Sequence, residues 1–136
     1  MGAKVSWYIQ DRVVLNYFWD DISAQELGDT ILQSGEFVRA GTYPVHTIIH
    51  MLDATGYPMN LGVVLKAATT MKDIKFGWLI PISDDRLVRF FVSTASQVIR
   101  GKFRGAPSVQ AALEFLADVD PSLPELSPLE DYLIKD

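Results

Sequence analysis

The chain contains no cysteine, which removes disulfides, thiolate nucleophiles and cysteine-based zinc sites together. Twelve lysines and arginines stand against 17 acidic residues, giving a net charge of -5. This balance argues against nucleic-acid binding over the whole surface, because such binding depends on neutralising phosphates with lysine and arginine. The sequence also lacks a run of about 18 uncharged apolar residues, so we predict no transmembrane segment. Met1 to Lys4 lead directly into a strand-like pattern instead of a signal-peptide core, and we expect a cytoplasmic protein.

What is present is typical of one globular domain. Of the 136 residues, 49% are apolar and 21% are charged. We expect the domain to occupy residues 1–119 and an acidic, proline-rich tail to occupy residues 120–136. In that tail, Ser127 and Glu130 form a capping box, which predicts a short helix.

The stretch from Pro44 to Asp53 predicts a central strand covered on both faces, because β-branched and apolar residues crowd it. Before it, Val5–Ile9 and Arg12–Trp19 predict a hairpin. Capping residues and apolar periodicity predict the remaining elements. These are a helix from Ser23 to Gly41, a loop from Ala54 to Asn60, a helix over Leu61–Met71, a strand over Phe76–Ile82, a helix capped within Ser83-Asp84-Asp85 and running to about Ile99, a short strand at Lys102–Arg104 and a helix starting at Ser108.

This order predicts an α/β fold: a mixed sheet of four or five strands, parallel in its centre, packed by about four helices. The order resembles that of the STAS domains, the anti-anti-sigma-factor family, and more closely the bacterial SpoIIAA-like proteins. The resemblance rests on the strand Ile48–Asp53, the helix start Asn60–Leu65 and the ending from Phe103 to Leu116. It implies a regulatory protein that acts by binding a partner.

The sequence departs from that family at the phosphoacceptor. In phosphorylated members, an Asp-Ser-Ser-Gly motif precedes the Leu-Gly that opens the second helix, whereas here Tyr57 to Asn60 precede Leu61-Gly62 without a hydroxyl at that position. Asp53 and Thr55 echo the motif a few residues earlier, but short polar residues after a strand commonly satisfy turn amides. We therefore expect no phosphorylation switch of the usual kind. The residues of this loop remain candidates for partner or ligand binding.

His46 and His50 would share one face of the central strand. Their Cα atoms would lie about 13 Å apart at about 3.3 Å per residue, too far for both to bind one metal ion directly. We predict no metal site and no cofactor. The two histidines are either hydrogen-bonded residues under a helix or the lining of a pocket.

Five basic residues and no acid lie between Arg86 and Arg104. An ordinary solvated helix face is one interpretation. The other is an anion site for a phosphate, an acidic partner or an anionic membrane surface, or for the acidic tail itself. We expect Arg86, Arg89 and Arg100 on one side of this helix, with Ser96, and an opposite apolar face that includes Phe90.

The sequence thus favours a non-catalytic STAS-like domain that binds a protein or a small apolar or anionic ligand. Competing hypotheses are a lipid-binding protein, as in the related CRAL-TRIO-like domains, and an enzyme using a pocket histidine. A deep apolar pocket would favour ligand binding, and a filled interior would favour protein interaction. A homodimer and peripheral contact with an anionic membrane stay open. The candidate binding residues are Asp53, Thr55, Tyr57, Asn60, Arg86, Arg89, Arg100, His46 and His50.

Overall fold

A computed structural model describes residues 2–58 and 60–124, so the predicted capping box from Ser127 to Glu130 lies outside the described residues. The elements in chain order are β1 (Ala3–Ile9), β2 (Val13–Asp21), α1 (Ala24–Ala40), β3 (His46–Gly56), α2 (Leu61–Thr70), β4 (Trp78–Ile82), α3 (Arg86–Val98), β5 (Lys102–Phe103) and α4 (Val109–Val119).

The five strands form one sheet in the order β1-β2-β3-β4-β5. β1 and β2 are an antiparallel hairpin, and every later neighbour is parallel. Ile48 of β3 sits between Leu15 of β2 and Ile80 of β4, which makes β3 the centre of the sheet. The predicted mixed sheet with a parallel centre is confirmed.

Strand alternation divides the core into two layers. Leu15 and Ile48 point to the face covered by α4, where they pack with Leu116. On the other face, Val14 and Phe18 pack beneath α1, α2 and α3. Three helices therefore cover one face of the sheet and one helix covers the other.

The helix starts follow the capping chemistry of the sequence. Ser23 accepts a hydrogen bond from the amide of Glu26, whose side chain accepts in return from the amide of Ser23. Asp85 caps α3 by accepting from the amide of Leu87, and Ser108 caps α4 in the same way. Such caps satisfy amides that a helix leaves without a partner, so local sequence fixes where these helices begin.

β3 departs from the prediction at its end. It continues to Gly56, so the connection to α2 is shorter than the expected loop from Ala54 to Asn60. Leu52, expected to be buried, is 41% exposed. The register shifts beside it, between the Tyr17–His50 and Trp19–Asp53 pairs, and such an irregularity breaks the alternation that would otherwise direct Leu52 inward.

Across the described part of the chain, no helix combines the length and the apolar character needed to cross a membrane.

Candidate functional site: an apolar cavity beneath three helices

A cavity of about 100 Å³ lies between the sheet and the layer formed by α1, α2 and α3. The sheet contributes Asn16, Phe18, Thr47, Ile49, Met51 and Leu79. The helices contribute Leu27, Ile31, Ser34, Val64, Ala68, Val88, Phe91, Val92 and Ala95, and the connecting segments contribute Tyr57, Pro58, Met71, Phe76 and Ile99. We call this space the apolar cavity.

Among the described residues that line the apolar cavity, the phenol of Tyr57 is the one ionisable group. Ile49 is only half-buried although it lies in the central strand, and its side chain lines this space. The sequence predicted the strand but gave no sign that the layer above it is incompletely filled.

Two polar side chains of the sheet face the cavity. Asn16 is 4% exposed and Thr47 is 1% exposed. Within residues 2–58 and 60–124, neither the Oδ1 of Asn16 nor the Oγ1 of Thr47 has a hydrogen-bond partner. Thr47 lies beside Val14, and Asn16 follows two residues later on the same face of β2, so the two side chains are diagonal neighbours on adjacent strands. Neither residue is among the binding residues predicted from the sequence.

Tyr57 lies at the edge of the cavity, just after β3. Its hydroxyl donates a short hydrogen bond to Asp85, the residue that caps α3. Burial, this hydrogen bond and the charge of Asp85 raise the pKa of Tyr57 to about 12, so the phenol stays protonated at neutral pH. The same bond from Tyr57, with the amide of Leu87, lowers the pKa of Asp85. The contact fastens the end of β3 to the start of α3.

The two histidines lie on the opposite face of the sheet, under α4. His46 accepts a hydrogen bond from the amide of Trp78 at Nδ1, over 3.0 Å. Its Nε2 therefore carries the proton and donates to Oδ2 of Asp120, over 2.8 Å. Burial lowers the pKa of His46 despite the nearby carboxylate, so the imidazole is neutral. His46 has satisfied hydrogen bonds and does not line the apolar cavity.

Asp120 is itself buried, and Arg12 donates to the same oxygen over 2.8 Å. Asp120, which was expected to begin the tail, is thus buried and hydrogen-bonded within the domain. Ser122 donates to the other carboxylate oxygen, and within the described residues no hydrogen bond joins it to His46, so the group is not arranged as a nucleophile with its base.

His50 is 3% exposed and meets the ring of Tyr17 edge-on, with 5.3 Å between ring centroids. The Tyr17 hydroxyl donates to Asp53 over 2.5 Å. Burial, followed by that bond and the charge of Asp53, raises the pKa of Tyr17. Neither histidine lines the apolar cavity, which removes the basis of the pocket-histidine hypothesis there.

Thr55 and Asn60 are exposed at the end of β3 and the start of α2. Thr55 Oγ1 lies 3.5 Å from Oδ1 of Asp21, and Asn60 makes no side-chain capping bond to α2. The structure thus separates the predicted loop residues into the cavity-lining Tyr57 and its exposed neighbours. Over the described ranges, no group of three or more histidines and carboxylates is placed to hold a metal ion.

The basic stretch forms a second surface, which differs from the expected arc. Arg86 and Arg89 line an open groove with Phe90, Ser93, Phe103 and Gly105, which we call the arginine–phenylalanine groove. Arg100 does not line it, because it follows the far end of α3. The expected apolar face was wrong at two positions: Phe90 is 55% exposed, whereas Ser96 is buried and donates to the carbonyl of Ser93.

The guanidinium group of Arg89 is partly occupied by hydrogen bonds within the protein. Its Nε and Nη2 donate to the carbonyl oxygen of Ser83 over 3.2 and 2.8 Å. Arg86 is exposed, and it makes no such hydrogen bond to the described residues.

A scan against models of known protein families and a search of curated protein sequences both found no match to this chain.

Proposed function

We propose that this protein is a non-catalytic, STAS-like binding domain whose ligand is a small, uncharged, largely apolar molecule held in the apolar cavity. The observation that carries the proposal is the cavity itself, lined almost entirely by apolar side chains between the sheet and α1, α2 and α3. Protein interiors are normally packed as densely as organic crystals, with few voids larger than a water molecule. An unfilled space of this size is therefore expected to bind a molecule.

Energetics support the same view. A cavity of about 100 Å³ costs about 2 kcal/mol at about 24 cal/mol per Å³. A ligand that fills the space recovers part of that cost and buries its own apolar surface. The domain is therefore expected to be more stable with ligand bound.

The volume limits the ligand to a compact molecule. An engineered cavity of about 150 Å³ in another protein binds benzene, so a space of about 100 Å³ limits the ligand to a molecule no larger than a single small ring or a short chain. A complete lipid with long acyl chains is too large for the space as it stands. The size thus favours a small apolar ligand over the lipid-carrier hypothesis.

The chemistry of the lining supports binding over catalysis. General acid–base catalysis needs a group with a pKa near neutrality. The ionisable group of the lining is Tyr57, whose pKa is about 12. Among the described residues of the lining, no histidine or carboxylate accompanies the hydroxyls of Ser34 and Thr47 to act as a base.

Benzene is a suitable first probe because it tests the cavity without requiring a polar contact. Methyl NMR signals of Ile49 and Met51 are expected to shift on titration with benzene, and the melting temperature is expected to rise. Ala95→Leu places three further carbon atoms at the cavity wall and should weaken both effects. Ala117→Leu is the control, because Ala117 is exposed on α4, and it should leave both effects unchanged. If neither the methyl NMR signals nor the melting temperature of the unsubstituted protein changes in a benzene-saturated solution, the proposal is rejected.

A second candidate function is binding of an anionic partner at the arginine–phenylalanine groove. The exposed Phe90 beside Arg86 and Arg89 supports this function. At an anionic membrane, the ring can enter the apolar layer while the two arginines contact the charged headgroups. Flotation with vesicles containing phosphatidylserine tests this function. Arg86→Gln should reduce flotation more than Arg100→Gln, which removes the same charge outside the groove; equal losses would point to net charge alone.

A further inference from the structure

We infer that the ligand of the apolar cavity carries a hydroxyl group, and that Asn16 and Thr47 bind it. This inference rests on the proposed function and adds the chemical class of the ligand. It starts from the Oδ1 of Asn16 and the Oγ1 of Thr47, which are buried and without a partner in the part of the chain that the structure describes.

Buried polar atoms in native proteins are nearly always hydrogen-bonded, because an unpaired one has lost its bond to water without replacement. Here the two atoms belong to neighbouring strands and line the same otherwise apolar space. An apolar residue at either position would have avoided the cost. Two such atoms side by side point to a missing partner inside the cavity.

Their positions allow one polar group to serve both. Strands lie about 4.8 Å apart and rise about 3.3 Å per residue, which puts the Cα atoms of diagonal neighbours about 8 Å apart. Both side chains line the same space. A ligand oxygen placed between them would pair with both if it lay within about 3 Å of each. The remainder of the ligand then contacts apolar groups such as Ile49, Met71 and Val92.

The atom types select the polar group. The Oδ1 of Asn16 only accepts hydrogen bonds, so the ligand has to donate one. The hydroxyl of Thr47 both donates and accepts. A hydroxyl group of the ligand matches both, because it donates to Asn16 and accepts from Thr47.

Other small groups fit less well. A carboxylate has no proton to donate to Asn16, and the described residues of the lining include no lysine or arginine to pair with its charge. An ammonium group lacks a carboxylate partner there. Ethers and ketones cannot donate, and a pure hydrocarbon leaves both protein atoms unpaired. The ligand class is therefore a compact alcohol or phenol.

Phenol and benzene provide the decisive pair of probes, since they share a ring and differ by one hydroxyl. A cavity without a polar partner strongly disfavours phenol, because its hydroxyl leaves water without compensation. In this protein we expect phenol to bind at least as tightly as benzene, measured by NMR titration of the Ile49 methyl signals. Asn16→Leu and Thr47→Val should each lower the phenol-to-benzene affinity ratio by about tenfold, as expected for loss of one buried hydrogen bond.

The melting curves of Asn16→Leu and Thr47→Val show whether each variant folds. If one of them folds poorly, the other still tests the inference. Thr70→Val supplies a matched control, since Thr70 is exposed on α2 and its hydroxyl bonds the carbonyl of Lys66. That variant should leave the ratio unchanged.

The outcomes separate the two proposals. If neither probe binds the unsubstituted protein, the proposed function fails and this inference fails with it. If benzene binds at least tenfold more tightly than phenol, the cavity accepts apolar ligands but the hydroxyl inference is wrong. A ratio that does not change in Asn16→Leu and Thr47→Val would also overturn the inference, because phenol would then bind without these two side chains.

Discussion

His46 and Asp120 are separated by 74 positions in the chain, yet Nε2 of the histidine and Oδ2 of the aspartate lie 2.8 Å apart. The bond joins the first residue of β3 to the residue that follows α4. Arg12, just before β2, donates to the same carboxylate. Three distant parts of the chain thus meet at one buried carboxylate, and this contact holds α4 against its face of the sheet.

We predict that Asp120→Ala destabilises the protein. The substitution leaves the buried Nε2–H of His46 without an acceptor and removes the partner of Arg12, so a cost of about 1 to 3 kcal/mol is expected. Urea denaturation measures the change. Asp118→Ala is the control, because Asp118 is exposed on the last turn of α4 and its loss should change stability by less than about 0.5 kcal/mol.

The neutral state of His46 makes stability depend on pH. Its pKa is lowered in the folded protein, so the unfolded chain takes up a proton more readily as the pH falls below about 6.5. The free energy of unfolding should therefore decline below that pH, by at most about 1.4 kcal/mol per pH unit for this one group. His46→Gln should be less stable and should lack this part of the slope.

Asp120 acts in the same direction at lower pH. Burial opposes the shift, but the hydrogen bonds from Ser122 and His46 lower the pKa of Asp120. The contribution of Asp120 to the free energy of unfolding is fully present above its pKa in the unfolded chain, about 3.9. It is lost as the pH falls through the lower pKa of the folded protein. Identical pH profiles between 7 and 5 for the unsubstituted protein and His46→Gln would contradict the assignment of the first slope to His46.

The central strand provides a matched pair of substitutions. Ile48 is fully buried between β2 and β4, and Ile48→Ala should cost about 2 to 5 kcal/mol through lost burial and a new void. Leu52, four residues later, is 41% exposed, and Leu52→Ala should cost less than about 1 kcal/mol. Chemical denaturation of both variants tests the position of the irregularity in β3. Similar losses would place Leu52 in the core, as the alternation of the sequence had indicated.

Much of the fold could be predicted because its signals are local. The capping box at Ser23 and Glu26, the cap at Ser108 and the apolar run of β3 each depend on a few neighbouring residues. The position of Leu52 could not be predicted, since an irregular register depends on the partner strand. The partnership of His46 with Asp120 was equally hidden, because no spacing links residues so far apart.

The candidate site was predicted less well. Tyr57 was selected for its place in a loop and proved to line the cavity, whereas Asn16 and Thr47 were missed. A signal for Asn16 was present: it shares a face of β2 with Val14 and Phe18, so the strand pattern puts a polar side chain at a covered position. The cavity itself depends on how closely three helices approach the sheet, which sequence patterns do not specify.

The last prediction concerns that approach and uses two glycines of α1. Glycine within a helix usually costs about 1 kcal/mol relative to alanine. A Cβ atom at Gly28 would lie 3.5 Å from Val63, an ordinary contact, so Gly28→Ala should raise the free energy of unfolding by about 0.5 to 1 kcal/mol. A Cβ atom at Gly35 would lie 2.2 Å from Sδ of Met71 and would force that side chain to move.

Met71 lines the apolar cavity, and methionine adapts readily to irregular spaces, so the cavity is the space into which it can turn. Gly35→Ala should therefore gain less stability than Gly28→Ala and should weaken benzene binding, whereas Gly28→Ala should leave that binding unchanged. Melting curves and NMR titrations of both variants measure the two effects. Equal benzene affinities in the two variants would mean that Met71 moves elsewhere, and that the spacing of α1 and α2 at Gly35 does not set the volume of the cavity.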